Sequence, residues 1–267
     1  MDSPYKIPAA EPQMLPVGRG AQAREIPFIA QHPAKSAGPG LFWLSGFMSE
    51  MSSTKATAMA QWAAEHNISS TRFDYSGHGI SQGRIEDGTI GRWIEEAEAV
   101  FSEVTSGPQI AIGSSMGGHI ALLLLRKLMR ERPAEAARIK ALVLIAPAWD
   151  MTEELMWKRF SGEVRSEIME RGFFKQPSAY AEPYTITRRL IEEGREHLFA
   201  RQPFDPGRPV VILQGLLDVD VPASHTRELT TFLTGDRVKL IEVADAEHRL
   251  SRPQDLDLLF SELGKLL

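Results

Sequence analysis

Most apolar residues of this chain fall in short, nearly unbroken runs rather than at every second position. The segments "EIPFIAQH" (25–32), "LFWLS" (41–45), "SSTRFDY" (69–75), "QIAIGS" (109–114), "KALVLIAPA" (140–148), "RPVVILQG" (208–215) and "VKLIEV" (238–243) each predict a strand. Between them the spacing changes. Residues 53–66 are alanine-rich behind a capping serine or threonine, which predicts a helix. Residues 90–105 place Ile90, Trp93, Ile94, Ala97, Val100 and Phe101 at helical spacing. Helices are also expected over 116–131 and 223–233, and a final helix lines Leu256, Leu259, Phe260, Leu263 and Leu267 along one face. Strands apolar on both sides, alternating with amphipathic helices, predict an α/β fold: a mostly parallel sheet covered by helices on both faces.

One stretch breaks the alternation. Residues 149–207 offer no convincing strand, only short amphipathic pieces such as "TEELMWKRF", "GEVRSEIMERG" and "TITRRLIEEGREHLF", interrupted by Pro177 and Pro183. They predict a helical lid inserted after the 140–148 strand. The expected division is a core of 1–148 with 208–267, and a lid of 149–207. There is no internal repeat and no low-complexity linker.

Composition narrows the classes of function. Of the 267 residues, 43% are hydrophobic and 24% charged, which is ordinary for a soluble globular protein and enough to bury a sizeable core. A net charge of -5 and the lack of a basic stripe argue against nucleic acid as a partner. The absence of cysteine excludes disulfides, thiolate nucleophiles and cysteine-ligated zinc, and fits a reducing compartment. The start, "MDSPYKIPAAEPQML", has no long apolar run, so no secretory signal is expected, and "IALLLL" and "ALVLIAPAW" are too short to span a membrane. The expected location is the cytoplasm.

The candidate chemistry sits in "AIGSSMGGHI" (111–120), at the carboxyl end of a buried strand, where open parallel sheets collect their sites. Gly113-Ser114-Ser115-Met116-Gly117 reads G-x-S-x-G with Ser115 at its centre. A residue held in a sharp strand-to-helix turn needs small neighbours two places away on either side, and glycine supplies them. Ser115 then projects its hydroxyl, while Ser114 occupies a position whose side chain points elsewhere.

A serine hydroxyl needs a general base, and the base needs an orienting acid. The chain order on such a sheet is serine, acid, histidine. Of His32, His66, His78, His119, His197, His225 and His248, only the last three lie well downstream. His248 follows the last strand in a loop, whereas His225 falls in a helix and His197 in the insertion, so His248 is the candidate base. Asp218 and Asp220 in "LQGLLDVDVP" both compete for the acid, with Asp218 favoured because it lies nearer its strand. Asp220 also reads as a charge at a helix start, Asp245 and Glu247 as solvated loop charges, and Asp74 as a structural loop residue out of chain order. The oxyanion donors expected are the backbone N–H of Met116 and that of Phe47, in the loop "SGFM". No metal and no organic cofactor are called for. "GSSMGG" lacks the lysine of a phosphate loop.

Several stretches together resemble one family: "SGFMSEMSSTKA" (45–56), "RFDYSGHGISQG" (72–83), "TIGRW" (89–93), "GSSMGG" (113–118), "LLDVDVP" (216–222) and "DAEHR" (245–249). They are similar to the α/β-hydrolase superfamily, and within it to the subgroup around mitochondrial α/β-hydrolase domain-containing protein ten. The resemblance implies a serine hydrolase of acyl esters or thioesters. Members of the subgroup remove S-linked acyl chains from protein cysteines and cleave acyl glucuronides. By the family pattern Ser115 is the nucleophile, Asp218 the acid, His248 the base, and Phe47 with Met116 the oxyanion donors. The chain departs from the pattern at its start, where no presequence is evident, and in the insertion, the part that matches least.

In that insertion Trp149, Met151, Met156, Trp157 and Phe160 are candidates to line an acyl tunnel, or simply to form the lid's own core. The expected partner is a small-molecule or acyl-protein ester or thioester. Carbon–carbon or lactone hydrolysis on the same triad, and a weakly active ligand-binding receptor, are the rival readings. The oligomeric state is not legible.

Overall fold

The computed structural model describes residues 10–177 and 183–267. The N-terminal reading over residues 1–9, and residues 178–182 of the expected lid, lie outside them.

The chain opens with β1 (Gln13–Val17), β2 (Arg24–Gln31) and β3 (Gly40–Leu44), then α1 (Thr54–Glu65), β4 (Ser70–Phe73), α2 (Ile90–Val104) and β5 (Gln109–Ser114). It continues through α3 (Met116–Glu131), the short α4 (Pro133–Ala136) and β6 (Ile139–Ile145). After an insertion come β9 (Val210–Gly215), α7 (Ala223–Phe232), β10 (Val238–Val243) and α8 (Pro253–Gly264). The insertion itself holds a π-helical turn (Thr152–Met156), α5 (Gly162–Arg171), β7 (Phe173–Gln176), β8 (Tyr184–Thr187) and α6 (Arg188–Gly194). Eight strands form one sheet in the order β1-β2-β4-β3-β5-β6-β9-β10. It is parallel from β4 to β10, while β2 runs antiparallel to both β1 and β4.

Each central strand divides its side chains between two cores. Phe42, Leu44, Ala111, Leu142, Leu144, Val210 and Ile212 face α2, α3 and α7. Their neighbours Leu41, Trp43, Ile110, Ile112, Val143, Val211 and Leu213 face α1 and α8. This is why the strands read as continuous apolar runs: a strand covered on both sides has no polar face. Two elements were not anticipated. β1 is an edge strand, with only Leu15 and Val17 buried. The insertion is not wholly helical, because β7 and β8 pair as an antiparallel hairpin. Those four-residue strands are mostly half-exposed and carry no long apolar run, so no pattern announced them. The insertion has a small core of Ile168, Ile186 and Ile191, with Phe160, Val164 and Phe174 packed against it. Among the described residues no helix is long and apolar enough to cross a membrane.

One polar network ties the antiparallel side of the sheet to α2. Glu96 is fully buried and accepts from the backbone N–H of Ser76 at 2.9 Å, from the Ser76 hydroxyl at 2.6 Å, and from the Arg24 guanidinium. Removing the carboxylate strands a buried arginine. Glu96→Ala is expected to cost about 3 kcal/mol of unfolding free energy, measured by urea denaturation, whereas Glu95→Ala, which removes the half-exposed partner of the same arginine, is expected to cost under about 1 kcal/mol.

Candidate active site

The parallel strands end at one rim of the sheet, and there β5 turns into α3 within a single residue. That residue is Ser115, with φ 54 and ψ -117. Positive φ costs a side-chain-bearing residue on the order of 1–3 kcal/mol and persists only where the surroundings enforce it. They do so with four hydrogen bonds: Ser115 N–H donates to the Ile145 carbonyl at 2.8 Å, and its own carbonyl accepts from Gly118 N–H at 2.9 Å, Ala148 N–H at 3.1 Å and His119 N–H at 3.4 Å. The turn is tight enough that a Cβ on Gly117 would sit 2.0 Å from the Leu44 carbonyl oxygen, and one on Gly113 would sit 2.3 Å from the Gly117 carbonyl oxygen. Both glycines of the motif are thus steric requirements.

Ser115 Oγ lies 3.0 Å from His248 Nε2. His248 Nδ1 lies 2.7 Å from Asp218 Oδ2. The consistent tautomer carries its proton on Nδ1, donating to the carboxylate and leaving Nε2 to accept from the serine. The Asp218 side chain is fully buried, while 19% of the His248 side chain stays exposed. The other oxygen of Asp218 accepts from the N–H groups of Asp220 at 2.9 Å and Val221 at 2.8 Å, just ahead of α7. Of the two aspartates in that loop, Asp218 faces the imidazole. Asp220 is exposed, and its backbone carbonyl takes a hydrogen bond from Arg159 at 3.0 Å. Ligand atoms of Asp218, Asp220 and His248 lie within 4.8 Å of one another, a spacing that could hold a cation. The facing atoms of Asp218 and His248 are already bonded to each other.

The backbone N–H groups of Phe47 and Met116 donate to no acceptor among the described residues. Met116 opens α3, so its N–H has no intrahelical partner. The loop bearing Phe47 is fixed by Asp74, which accepts from Met51 N–H at 2.6 Å and Ile80 N–H at 3.0 Å. Asp74 is therefore the structural loop residue its position suggested.

A cleft of about 700 Å³ opens over Ser115 and His248, walled by Phe47, Met151, Met156 and Phe160. Two tryptophans singled out in the sequence are not on its wall. Trp149 is fully buried: its indole N–H donates to the His225 carbonyl at 2.8 Å and its ring stacks on His225 at 4.4 Å, beneath α7. Trp157 lies between the guanidinium groups of Arg165 and Arg195, 5.4 and 5.1 Å from its ring centre. Both placements follow from chemistry, since an indole N–H needs an acceptor and an aromatic face attracts cations.

Residues that the sequence did not single out complete the surroundings. Gln214 donates to the Val221 carbonyl at 3.0 Å and approaches Asp218 at 3.4 Å, while accepting from Thr226 at 2.6 Å. A glutamine inside the otherwise apolar strand "VVILQG" was the signal for it. Lys55 and Arg249 also line the cleft; both fell within the family-like stretches 45–56 and 245–249, without being singled out.

A serine that can pass its proton to an imidazole held by a buried carboxylate, on an eight-stranded α/β sheet, defines an α/β hydrolase. The chain belongs to the serine aminopeptidase, S33 family, whose pattern matches residues 41–193. It is 27% identical over 270 aligned positions to human palmitoyl-protein thioesterase ABHD10, mitochondrial, covering 98% of this chain and 86% of that protein. A solved protein of Agrobacterium vitis S4 described as a hydrolase superposes with a TM-score of 0.92 at 42% identity, over 96% of this chain and 98% of its own. Mouse α/β hydrolase domain-containing protein 10 does so with a TM-score of 0.82 at 26% identity, over the same shares. The protein is a hydrolase enzyme. The cytoplasmic expectation does not stand: the curated relatives that cover the chain almost from end to end are mitochondrial by name. Composition could not have revealed this, because a reducing compartment is not a unique address.

Two predictions follow from the geometry. Ser115→Gly is expected to be more stable than Ser115→Ala by about 1 kcal/mol, because only glycine adopts positive φ freely; denaturation midpoints of the two variants decide it. The second concerns the buried histidines. Burial lowers His225 and His78 to about 4 and His119 to about 3. Unfolded histidines take up protons below about pH 6.5, so their contribution to stability is whole above that pH and is lost as pH falls toward 4. His225→Gln is expected to flatten the decline by up to about 1.4 kcal/mol per pH unit, read from urea midpoints between pH 7 and 4.5.

Proposed function

We propose that this chain is a serine acyl hydrolase, cleaving carboxylic thioesters and esters through a covalent acyl-enzyme. The observation that carries the reading is the unbroken hydrogen-bond chain from Ser115 through His248 to Asp218. His248 takes the Ser115 proton as the oxygen attacks the acyl carbon. The N–H groups of Phe47 and Met116 hold the oxyanion. As the tetrahedral centre collapses, the proton passes from His248 to the departing thiol or alcohol. His248 then deprotonates a water molecule that attacks the acyl-enzyme, and returns that proton to Ser115 Oγ as the second tetrahedral centre collapses and the acid leaves. Asp218 keeps the imidazole in its tautomer and stabilises its charged form. This reading routes no step through a metal or organic cofactor.

Residues 149–207 serve in this reading as a lid over the core of 1–148 and 208–267. Its Met151, Met156 and Phe160 form the apolar wall against which an acyl chain packs, and methionine adapts to a flexible ligand. A thioester preference is supported by the likeness to palmitoyl-protein thioesterases along nearly the whole chain.

Initial rates against p-nitrophenyl esters of increasing chain length and a palmitoyl-thioester peptide test the proposal. Ser115→Ala is expected to abolish turnover. Asp218→Asn is expected to lower kcat by about 10⁴-fold, and Asp220→Asn to leave it within about threefold of the parent, since its carboxylate makes no bond to His248. Loss of activity in Asp220→Asn but not in Asp218→Asn would reverse the assignment of the acid. No turnover of any ester or thioester by folded protein would move the reading to carbon–carbon or lactone hydrolysis, or to ligand binding without turnover.

A further inference from the structure

The histidine of the proposed relay sits on a loop between β10 and α8 that is anchored firmly at its ends. Near its start, the Ala246 carbonyl accepts from Leu217 N–H at 3.0 Å. At its far end Arg252 grips Asp245 and Asp255, with five guanidinium contacts between 2.9 and 3.1 Å. His248 and Arg249 lie between these anchors, at a turn where Leu250 N–H donates to the Glu247 carbonyl over a long 3.3 Å. Leu250 itself has φ 40.

One side chain reaches the tip of that turn from outside. The Lys55 ammonium, in the first turn of α1, donates to the Arg249 carbonyl across 194 residues of sequence. A cation in the first turn of a helix stands at the wrong end of the macrodipole, and that turn holds no acidic residue to offset it. Its placement is accounted for by what it touches. The support is stiff, because α1 and α8 share one core and Trp62 of α1 stacks on Phe260 of α8 at 5.6 Å.

We propose that Lys55 is a positioning residue of the hydrolase, holding the Arg249 carbonyl so that the adjoining His248 keeps its place between Ser115 and Asp218. This rests on the reading of Ser115 and His248 given above. The same lysine faces Arg249 on the loop, Asp218 beyond β9 and Asp255 on α8. Desolvation and then Arg249 lower its pKa to about 8, against the opposing pull of Asp255 and Asp218. Below about pH 8 the donor is an ammonium, and hydrogen bonds from a charged donor are the stronger ones. Above it, the neutral amine holds the turn more weakly.

The test compares the parent with Lys55→Met and Lys55→Arg on a short neutral p-nitrophenyl ester, from pH 6 to 9.5. Lys55→Met is expected to lose about ten- to a hundredfold in kcat, the scale of a displaced catalytic group, with KM unchanged. The parent is expected to lose activity above about pH 8, and this alkaline limb is expected to vanish in Lys55→Met. Lys55→Arg should restore most of kcat and carry the plateau past pH 9. A raised KM with unchanged kcat overturns the inference, since Lys55 then binds substrate. So does full activity in Lys55→Met, or a limb that stays put in Lys55→Arg. Should Lys55→Met fail to fold, the limb in Lys55→Arg decides alone. Ser115→Ala separates the two levels: if it remains active the hydrolase reading fails, and if it is silent while both Lys55 variants match the parent, only the positioning role fails.

Discussion

A single-residue reversal of the backbone between β5 and α3 sets the conditions for the rest of the molecule. It requires a serine in a strained conformation, and strain at one residue persists only against a rigid frame. The frame is the pair of strands flanking β5. β6 supplies the carbonyl that holds Ser115 N–H, and β3 brings the Leu44 carbonyl so close to Gly117 that no side chain fits. The two-sided core, with Phe42 and Leu44 on one face and Leu41 and Trp43 on the other, keeps those strands from yielding. The strain is local, and the stability that sustains it is spread through the sheet.

The same rim shows how charge is managed where water is scarce. Asp218 is fully enclosed, yet two backbone N–H groups, the imidazole and a glutamine surround it. Glu96 is equally enclosed and just as fully met, by Ser76 and Arg24. Asp218 lies in the loop after β9 and Glu96 within α2, and each pins loop backbone: the N–H groups of Asp220 and Val221 in one case, that of Ser76 in the other. The cost of burying charge is offset by hydrogen bonds that also specify where the backbone runs.

Much of this was legible before any coordinates. The central strands could be read because burial on both sides leaves unbroken apolar runs, and the serine turn because its glycines are demanded by sterics. Chain order reduced seven histidines to three and a loop after the last strand singled out His248, while nearness to its strand favoured Asp218, whose carboxylate lies 2.7 Å from the imidazole. What escaped was decided by tertiary contact. β1 and the β7–β8 hairpin are short and half-exposed, so they carry no periodicity. Trp149 and Trp157 were grouped with Met151, Met156 and Phe160 as neighbours in sequence. In space, α7 claims one indole and two arginines claim the other. Lys55 fell within a family-like stretch (45–56) but nothing pointed to its contact, because its partner is a backbone carbonyl 194 residues away.

The ring of Phe47 has a further consequence. It packs against Trp93 of α2 at 5.9 Å, His78 at 6.0 Å, and Tyr184 of the insertion's hairpin at 5.7 Å. Ring and amide belong to the same residue, so the aromatic stack helps to hold the loop that carries that N–H. The hairpin therefore leans, through one ring, on the loop that carries the Phe47 peptide at the wall of the cleft. The insertion is thus geared to the head of the sheet: a side chain at position 184 must fit a ring that also packs on residues 78 and 93.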